Sequence, residues 1–408
     1  MQNIIIDKPY VPVPPHRGRL WPTLLRLYVP HMLRRKYGVV SVECVHADRL
    51  AKSVRDGHGV LVTPNHCRDE DPMVLGALSS AAGSHFYLMA SWHVFMQDRM
   101  QAFLLRRAGA FSIYREGIDR GAVGTAIEIL ARAERPLVVF AEGFVSRTND
   151  RLNELMDGTA LIARTGAKRR AEHNPPGKVV VHPVAIRYRF QGDVEADVAP
   201  VLDEIEARLT WPAQNTRPAM ERVLRIGLGL LALKEIEYLG EARTGAIGPR
   251  LASLADSILA PMEREWLGRT REDDVPARVK RLRSAIVPDM TKGGEDQIDE
   301  PERARRWKQL ADLYLAQQLF HYPPDYLGTN PTPERLLETV ERFEEDLTDR
   351  VRVHGPLHAT ITVGEAIEAL PTREIRGSGN GDPLMEQVES QLRAMLGLPG
   401  SSGSGSAP

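Results

Sequence analysis

Cysteine is scarce: only Cys44 and Cys67 occur in 408 residues. Two thiols cannot build the disulfide framework of a stapled secreted scaffold, so a reducing compartment, the cytoplasm, is expected. Long apolar runs are missing too. A spanning helix needs about 18 consecutive apolar residues, and the nearest stretch, Ile226 to Leu233, is closed by Arg225 and Lys234. The chain is therefore expected to lie on a membrane at most, not to cross it. Met-Gln-Asn and a short apolar triplet give way to Asp7, Lys8 and several prolines. That start lacks the apolar core of a signal peptide, and export is not expected. Net charge is absent as well, 53 Lys and Arg standing against 54 Asp and Glu. No global basic bias points to nucleic acid, and any basic surface has to be local.

Such a local surface is present at the start. Residues 1 to 40 contain Lys8, Arg17, Arg19, Arg26, Arg34, Arg35 and Lys36 against the single acid Asp7. Leu20, Trp21, Leu24, Leu25, Leu27 and Tyr28 recur among them at helical spacing. Residues 1–37 thus read either as a basic amphipathic segment that sinks into a membrane interface, or as an ordinary amphipathic helix on a core, with Pro22 and Pro30 limiting its length.

From 38 to 190 the pattern changes. Short β-type runs (Gly38 to Val45, Val60 to Pro64, Phe86 to Ala90, Ala110 to Tyr114, Leu137 to Phe140, Val179 to Arg187) alternate with helical stretches. This predicts an α/β domain with a mostly parallel sheet flanked by helices, whose chemistry sits where strands end. Residues 191–355 read instead as a large helical insertion, with helices near Pro218 to Gly240, Pro249 to Gly268, Pro301 to Phe320 and Pro333 to Arg350. The charged, Gly-containing loop Thr291 to Glu300 is expected to be mobile. A returning β run at Leu357 to Ile367 and a last helix near Pro383 to Leu396 would complete the first domain within 356–398, leaving 399–408 as a flexible tail.

The sharpest chemical feature is Val60-Leu-Val-Thr-Pro-Asn-His-Cys-Arg-Asp-Glu-Asp-Pro72. A strand delivers Asn65 and His66 into a polar loop, and Asp71-Pro72 reads as an N-cap followed by the first helical position. If the loop folds back, Asp71 can accept the imidazole N–H and fix the tautomer, so that the other ring nitrogen faces a hydroxyl. A capping Asp beside a lone His is the plain alternative, and a metal site from His66, Asp69 and Asp71 lacks a further His or Cys at ligand spacing. Downstream, Gly109 to Arg115 sets a guanidinium at a strand end, where it could grip a phosphate. Pro136 to Gly143 ends a strand with Glu142 and a glycine, an acceptor beside an approachable backbone or merely a strand-ending turn. His182-Pro-Val-Ala-Ile186 closes a buried run.

These four pieces, in this order, resemble the glycerophospholipid acyltransferases typified by 1-acylglycerol-3-phosphate acyltransferase. The Asn-His-x4-Asp block is matched by Asn65, His66 and Asp71, and the Gly-to-Arg block by Gly109 and Arg115. The Phe-Pro-Glu-Gly-Thr-Arg-Ser block is matched by Phe140, Glu142, Gly143 and Ser146, with Ala141, Phe144 and Val145 in place of the usual Pro, Thr and Arg. The Val-Pro-Val-Ala strand is matched by Pro183, Val184 and Ala185, and Leu357 to Ile367 looks like the family's late strand.

The resemblance implies that His66 is the catalytic base that deprotonates a lysolipid hydroxyl and that Asp71 supports the imidazolium. It places Asn65, Arg115, Glu142, Gly143, Ser146 and Arg147 among the groups that bind the acceptor, Arg147 standing in for the arginine replaced by Val145. It implies no bound cofactor and no metal. The co-substrate would be an acyl thioester of coenzyme A or acyl carrier protein, the partner a membrane lysophospholipid, and the location peripheral on the cytoplasmic membrane face, with no nucleic acid involved. The helical insertion would then cover the site or dock a partner. A silent lipid-binding or scaffolding protein of the same fold and a thioester hydrolase are the competing readings.

Overall fold

A computed structural model describes residues 8–173, 176–212, 214, 216–270, 273–290, 298–328, 330–348, 350, 352–372 and 382–399. The expected tail beyond residue 399 and the loop from Thr291 to 297 lie outside the described residues. The chain divides into two units, one built on Val11–Arg115, Asp119–Gly192 and Val353–Pro408, the other mainly on Asp193–Arg352.

The first unit holds the sheet. Its strands are β1 (Val39–Val45), β2 (Gly59–Pro64), β3 (Tyr87–Ser91), β4 (Ala110–Ile113), β5 (Leu137–Val138), β6 (Val179–Phe190), β7 (Leu357–Val363) and β8 (Ile367–Glu368). They run in the order β1-β7-β6-β2-β5-β3-β4, with β8 pairing with β6. The five strands from β6 to β4 are parallel. β7 is antiparallel to β6 and parallel to β1, so the expectation of a mostly parallel sheet holds. Every residue of β2 is buried, as required of a central strand covered on both faces.

The covering helices are α1 (Leu20–Tyr37), α2 (Ala47–Arg55), α3 (Asp71–Ala81), α4 (Trp92–Met96), α5 (Arg99–Ala108), α6 (Arg120–Arg132) and α7 (Gly158–Ala171), joined by the C-terminal helix Pro383–Leu396. Ala126, Ile129 and Leu130 of α6, Ala160 and Ala163 of α7, and Val388 and Leu392 of the last helix share one core with Leu61, Leu137 and Val181 of the sheet. α1 and α3 pack on β1, α2 and α3 on β7, and α2 also on β2. α1 buries Pro22 and Leu33 yet leaves Leu20, Leu24, Leu27 and Tyr28 exposed. It meets α5 through Trp21, whose ring lies edge-on to Phe103 at 5.3 Å.

The run from Leu357 to Ile367 is not one strand. β7 pairs with the second half of β6, from Val184↔Val363 to Phe190↔Leu357. β8 then resumes on the first half, at Val180 and Val181. The break falls opposite Pro183, which has no N–H for a ladder. Gly364 fills the gap, donating its N–H to the Pro183 carbonyl at 2.8 Å.

The second unit is helical: α8 (Val194–Arg208), α9 (Ala219–Leu239), α10 (Ile247–Leu267), α11 (Val275–Met290), α12 (Glu300–Phe320) and α13 (Pro333–Thr348), which makes the C-terminal helix of the first unit α14. A buried device recurs along it. Arg222, Arg250 and Arg278, each 28 residues after the last, clasp Glu206, Glu235 and Glu263 of the preceding helix at 2.8 to 3.2 Å. All three glutamates are fully buried. Two parallel N–H···O bonds per pair fix helix register as well as charge. The next arginine in the series, Arg306, bonds Glu302 of its own helix and the Ile286 carbonyl instead. The position 28 residues after Glu263 is Thr291, which offers no carboxylate.

Candidate active site

Because β2, β5 and β4 run parallel, the loops that follow them emerge at one edge of the sheet. That edge carries His66 after β2, Glu142 and Gly143 after β5, and Arg115 after β4. Asn65 follows β2 directly, and its amide closes a two-bond clamp on β6. Its Nδ2 donates to the Ile186 carbonyl at 3.0 Å and its Oδ1 accepts the Ile186 N–H at 2.7 Å. This anchors the loop that carries His66.

His66 points back at Asp71. Its Nδ1 lies 2.9 Å from Oδ2 of the carboxylate. A carboxylate can only accept, so Nδ1 carries a proton, and in the neutral ring Nε2 then holds the lone pair. The Asp71 side chain is fully buried, while that of His66 retains 15% of its exposure. The imidazole stacks on Phe140, ring centroids 3.9 Å apart and planes 23° from parallel. Asp71 is the first residue of α3, with Pro72 beside it, but the expected side-chain cap does not form. Its carboxylate is turned into the loop, where Oδ2 also accepts the Arg68 N–H at 2.9 Å and Oδ1 accepts the Tyr188 hydroxyl at 2.6 Å.

Glu142 works from below. Its Oε1 accepts the His66 backbone N–H at 2.7 Å, and its Oε2 accepts both N–H and Nδ2–H of Asn153 at 3.1 and 2.6 Å. Burial pushes the carboxyl above the usual range, against the pull of those donors. Ser146 donates its N–H to the His66 carbonyl at 2.7 Å and turns its hydroxyl to the Thr148 carbonyl. Asn65, Glu142 and Ser146, expected among the groups that bind the acceptor, are all buried and have their polar atoms engaged with the protein itself. Their hydrogen bonds brace the loop that carries His66.

Gly143 sits at φ +77°, and a Cβ there would come within 2.8 Å of Met156. The positive φ favours glycine, and any side chain there would have to push the end of Met156 aside. Its carbonyl accepts a bond from the exposed Arg115 guanidinium. Arg147 also has positive φ, +56°, and reaches Asp69 at 3.3 Å. The structure thus brings two cations, Arg115 and Arg147, to the same edge as His66. Asp69 faces Arg147, not the imidazole, and among the described residues no group of three or more His, Cys, Asp or Glu is placed to hold a metal.

Two residues of this site carry no sequence signal. Tyr188 reads as an inward aromatic of β6, and Asn149 as part of a turn. In the fold Asn149 repeats the Asn65 clamp one β6 register on, bonding both the N–H and the carbonyl of Tyr188 at 2.6 Å. The Tyr188 phenol is held far above its ordinary range by burial and by the neighbouring Asp71 and Glu70 charges, so it stays a hydrogen-bond donor.

Comparison with protein families matches residues 41–187 to the family described as Acyltransferase. The matched span runs from β1 through most of β6 and contains His66, Asp71, Arg115, Glu142 and Gly143. No curated protein matches the chain.

Proposed function

We propose that the chain, whose residues 41–187 match the family described as Acyltransferase, moves a fatty acyl group from a thioester of coenzyme A or acyl carrier protein to a lysolipid hydroxyl. The best acceptor is 1-acylglycerol-3-phosphate, with phosphatidate as product. His66 is the general base and Asp71 its partner. The observation that carries this reading is the 2.9 Å bond from His66 Nδ1 to a fully buried carboxylate at the strand-end edge where such sheets place their chemistry.

The step balances simply. The acceptor oxygen attacks the thioester carbonyl while His66 Nε2 takes the hydroxyl proton. The C–O bond forms, the C–S bond breaks, and the imidazolium returns its proton to the departing thiolate. Asp71 stabilises the imidazolium between those events. No protein nucleophile and no metal is called for. Arg115 and Arg147 supply the positive charge for the acceptor phosphate. The exposed leucines of α1, flanked by Arg26, Arg34 and Arg35, fit a peripheral attachment to anionic lipid.

The test is His66→Ala beside wild type, with acyl thioester and a lysolipid panel. Removing a general base costs about 10²- to 10⁴-fold in turnover. Equal rates would end the role of His66 as base, and no turnover in wild type would leave a silent lipid-binding protein. Free fatty acid as the main product would make it a hydrolase.

A further inference from the structure

We propose that Tyr188 is a positioning residue of this site: its phenol fixes the Asp71 carboxylate in the one orientation that grips His66. The inference rests on the acyl-transfer reading above and adds a member that the sequence blocks do not contain.

The geometry is specific. The two carboxylate oxygens of Asp71 have divided duties. Oδ2 receives the imidazole Nδ1–H at 2.9 Å and the Arg68 N–H at 2.9 Å, while Oδ1 receives the Tyr188 hydroxyl at 2.6 Å. Rotating the carboxylate breaks all three bonds together. The Cys67 thiol is 3.8 Å from Oδ1, a weak donor unable to replace a phenol. Tyr188 is itself 2% exposed, so its hydroxyl bonds in a dry environment where a charge-assisted bond is strongest.

Tyr188 is also unusually well held. Asn149 bonds its main chain on both sides at 2.6 Å, and the Arg68 guanidinium lies over its ring at 5.4 Å. Two asparagines, Asn65 and Asn149, therefore pin alternate residues of β6, Ile186 and Tyr188. The first ties β6 to the loop bearing His66, and the second sets the height of the phenol against Asp71. A buried phenol needs some acceptor, and here the acceptor is the other oxygen of the carboxylate that grips His66, while the main-chain clamp fixes where on β6 that phenol starts.

The experiment compares Tyr188→Phe with wild type, each also in a His66→Ala background, in the full chain with acyl-coenzyme A and 1-acylglycerol-3-phosphate. Tyr188→Phe should lower kcat about ten- to hundredfold, the scale for losing a group that orients a catalytic one. Both KM values should stay within about twofold, because substrate contacts are untouched. In the His66→Ala background the same change should cost nothing further, since Tyr188 acts only through that ring. Wild-type kcat in Tyr188→Phe would overturn the proposal, and so would an equal fold-loss in both backgrounds, which marks a merely structural role. If the Phe variant does not fold, Asn149→Ala, which loosens Tyr188 and keeps the phenol, takes its place under the same criteria. A wild-type protein without turnover would sink the acyl-transfer reading, a His66→Ala protein at the wild-type rate would sink His66 as its base, and a dead His66→Ala beside an unimpaired Tyr188→Phe sinks only this inference.

Discussion

Asp71→Asn isolates the charge of the dyad from its shape. The substitution is isosteric. The Asn oxygen can take the place of Oδ2 before His66 Nδ1 and Arg68 N–H, and its NH2 can face Tyr188, whose hydroxyl turns to accept. What disappears is one negative charge beside the imidazolium. A carboxylate and an imidazolium with charge centres about 4 Å apart attract by about 4 kcal/mol at an effective dielectric constant of about 20. At 1.36 kcal/mol per tenfold in rate, that is a fall in kcat of about 10³. KM should hardly move, because the ion pair exists only once the proton has left the acceptor hydroxyl. The assay is release of the coenzyme A thiol, followed with a thiol-reactive chromophore, in the presence of 1-acylglycerol-3-phosphate and with thermal unfolding measured on the same preparations. A loss of less than tenfold in a variant that unfolds near the wild-type temperature would show that the buried carboxylate does not stabilise charge on His66.

Three further outcomes follow from buried polar groups elsewhere. Asn65→Ala strands the Ile186 N–H and carbonyl and should cost about 2 to 4 kcal/mol by urea denaturation, with activity falling as the His66 loop loosens; an unchanged denaturation midpoint would refute the clamp. His182 is buried between the Ser53 hydroxyl and the Gly364 carbonyl, and burial holds its ring below the ordinary 6.5. The unfolded chain therefore takes up a proton there that the native state refuses, so stability falls as pH drops through about 6.5; His182→Gln should flatten the slope of unfolding free energy between pH 7 and 5, and parallel slopes would contradict this. Arg278→Met leaves Glu263 buried without its clasp and should destabilise by about 3 to 5 kcal/mol, most of it recovered in Arg278→Met with Glu263→Leu; a double variant no better than the single would rule out the stranded charge as the cause.

Local sequence was enough for much of this molecule. Runs of β-branched residues bounded by turn residues gave β2 and β6, since a strand buried on both faces leaves an unbroken apolar signature. Helix ends were legible where Pro383 opens and Gly397 closes α14, because those residues act within one turn of chain. His66 and Asp71 were readable as a pair for the same reason: they are five residues apart in one loop. Asn65 and Glu142 were readable as polar residues at strand ends and Ser146 only through the resemblance, and the backbone groups that each meets were not legible. What such a group bonds depends on what the fold sets against it, here the main chain of His66, Asn153, Ile186 and Thr148.

Tertiary structure alone decided the rest. β7 joins the sheet from more than 160 residues after β6, and its antiparallel direction is a property of the return path, not of its residues. The split between β7 and β8 became visible only when Pro183, a residue of another strand, stood opposite Gly364. Tyr188 reaches Asp71 across 117 residues of chain. Tyr188 lies just past the β run Val179 to Arg187 that the sequence marks, and its partner was set by which loop the neighbouring strand delivers to its face of β6, a matter of packing that no local pattern encodes.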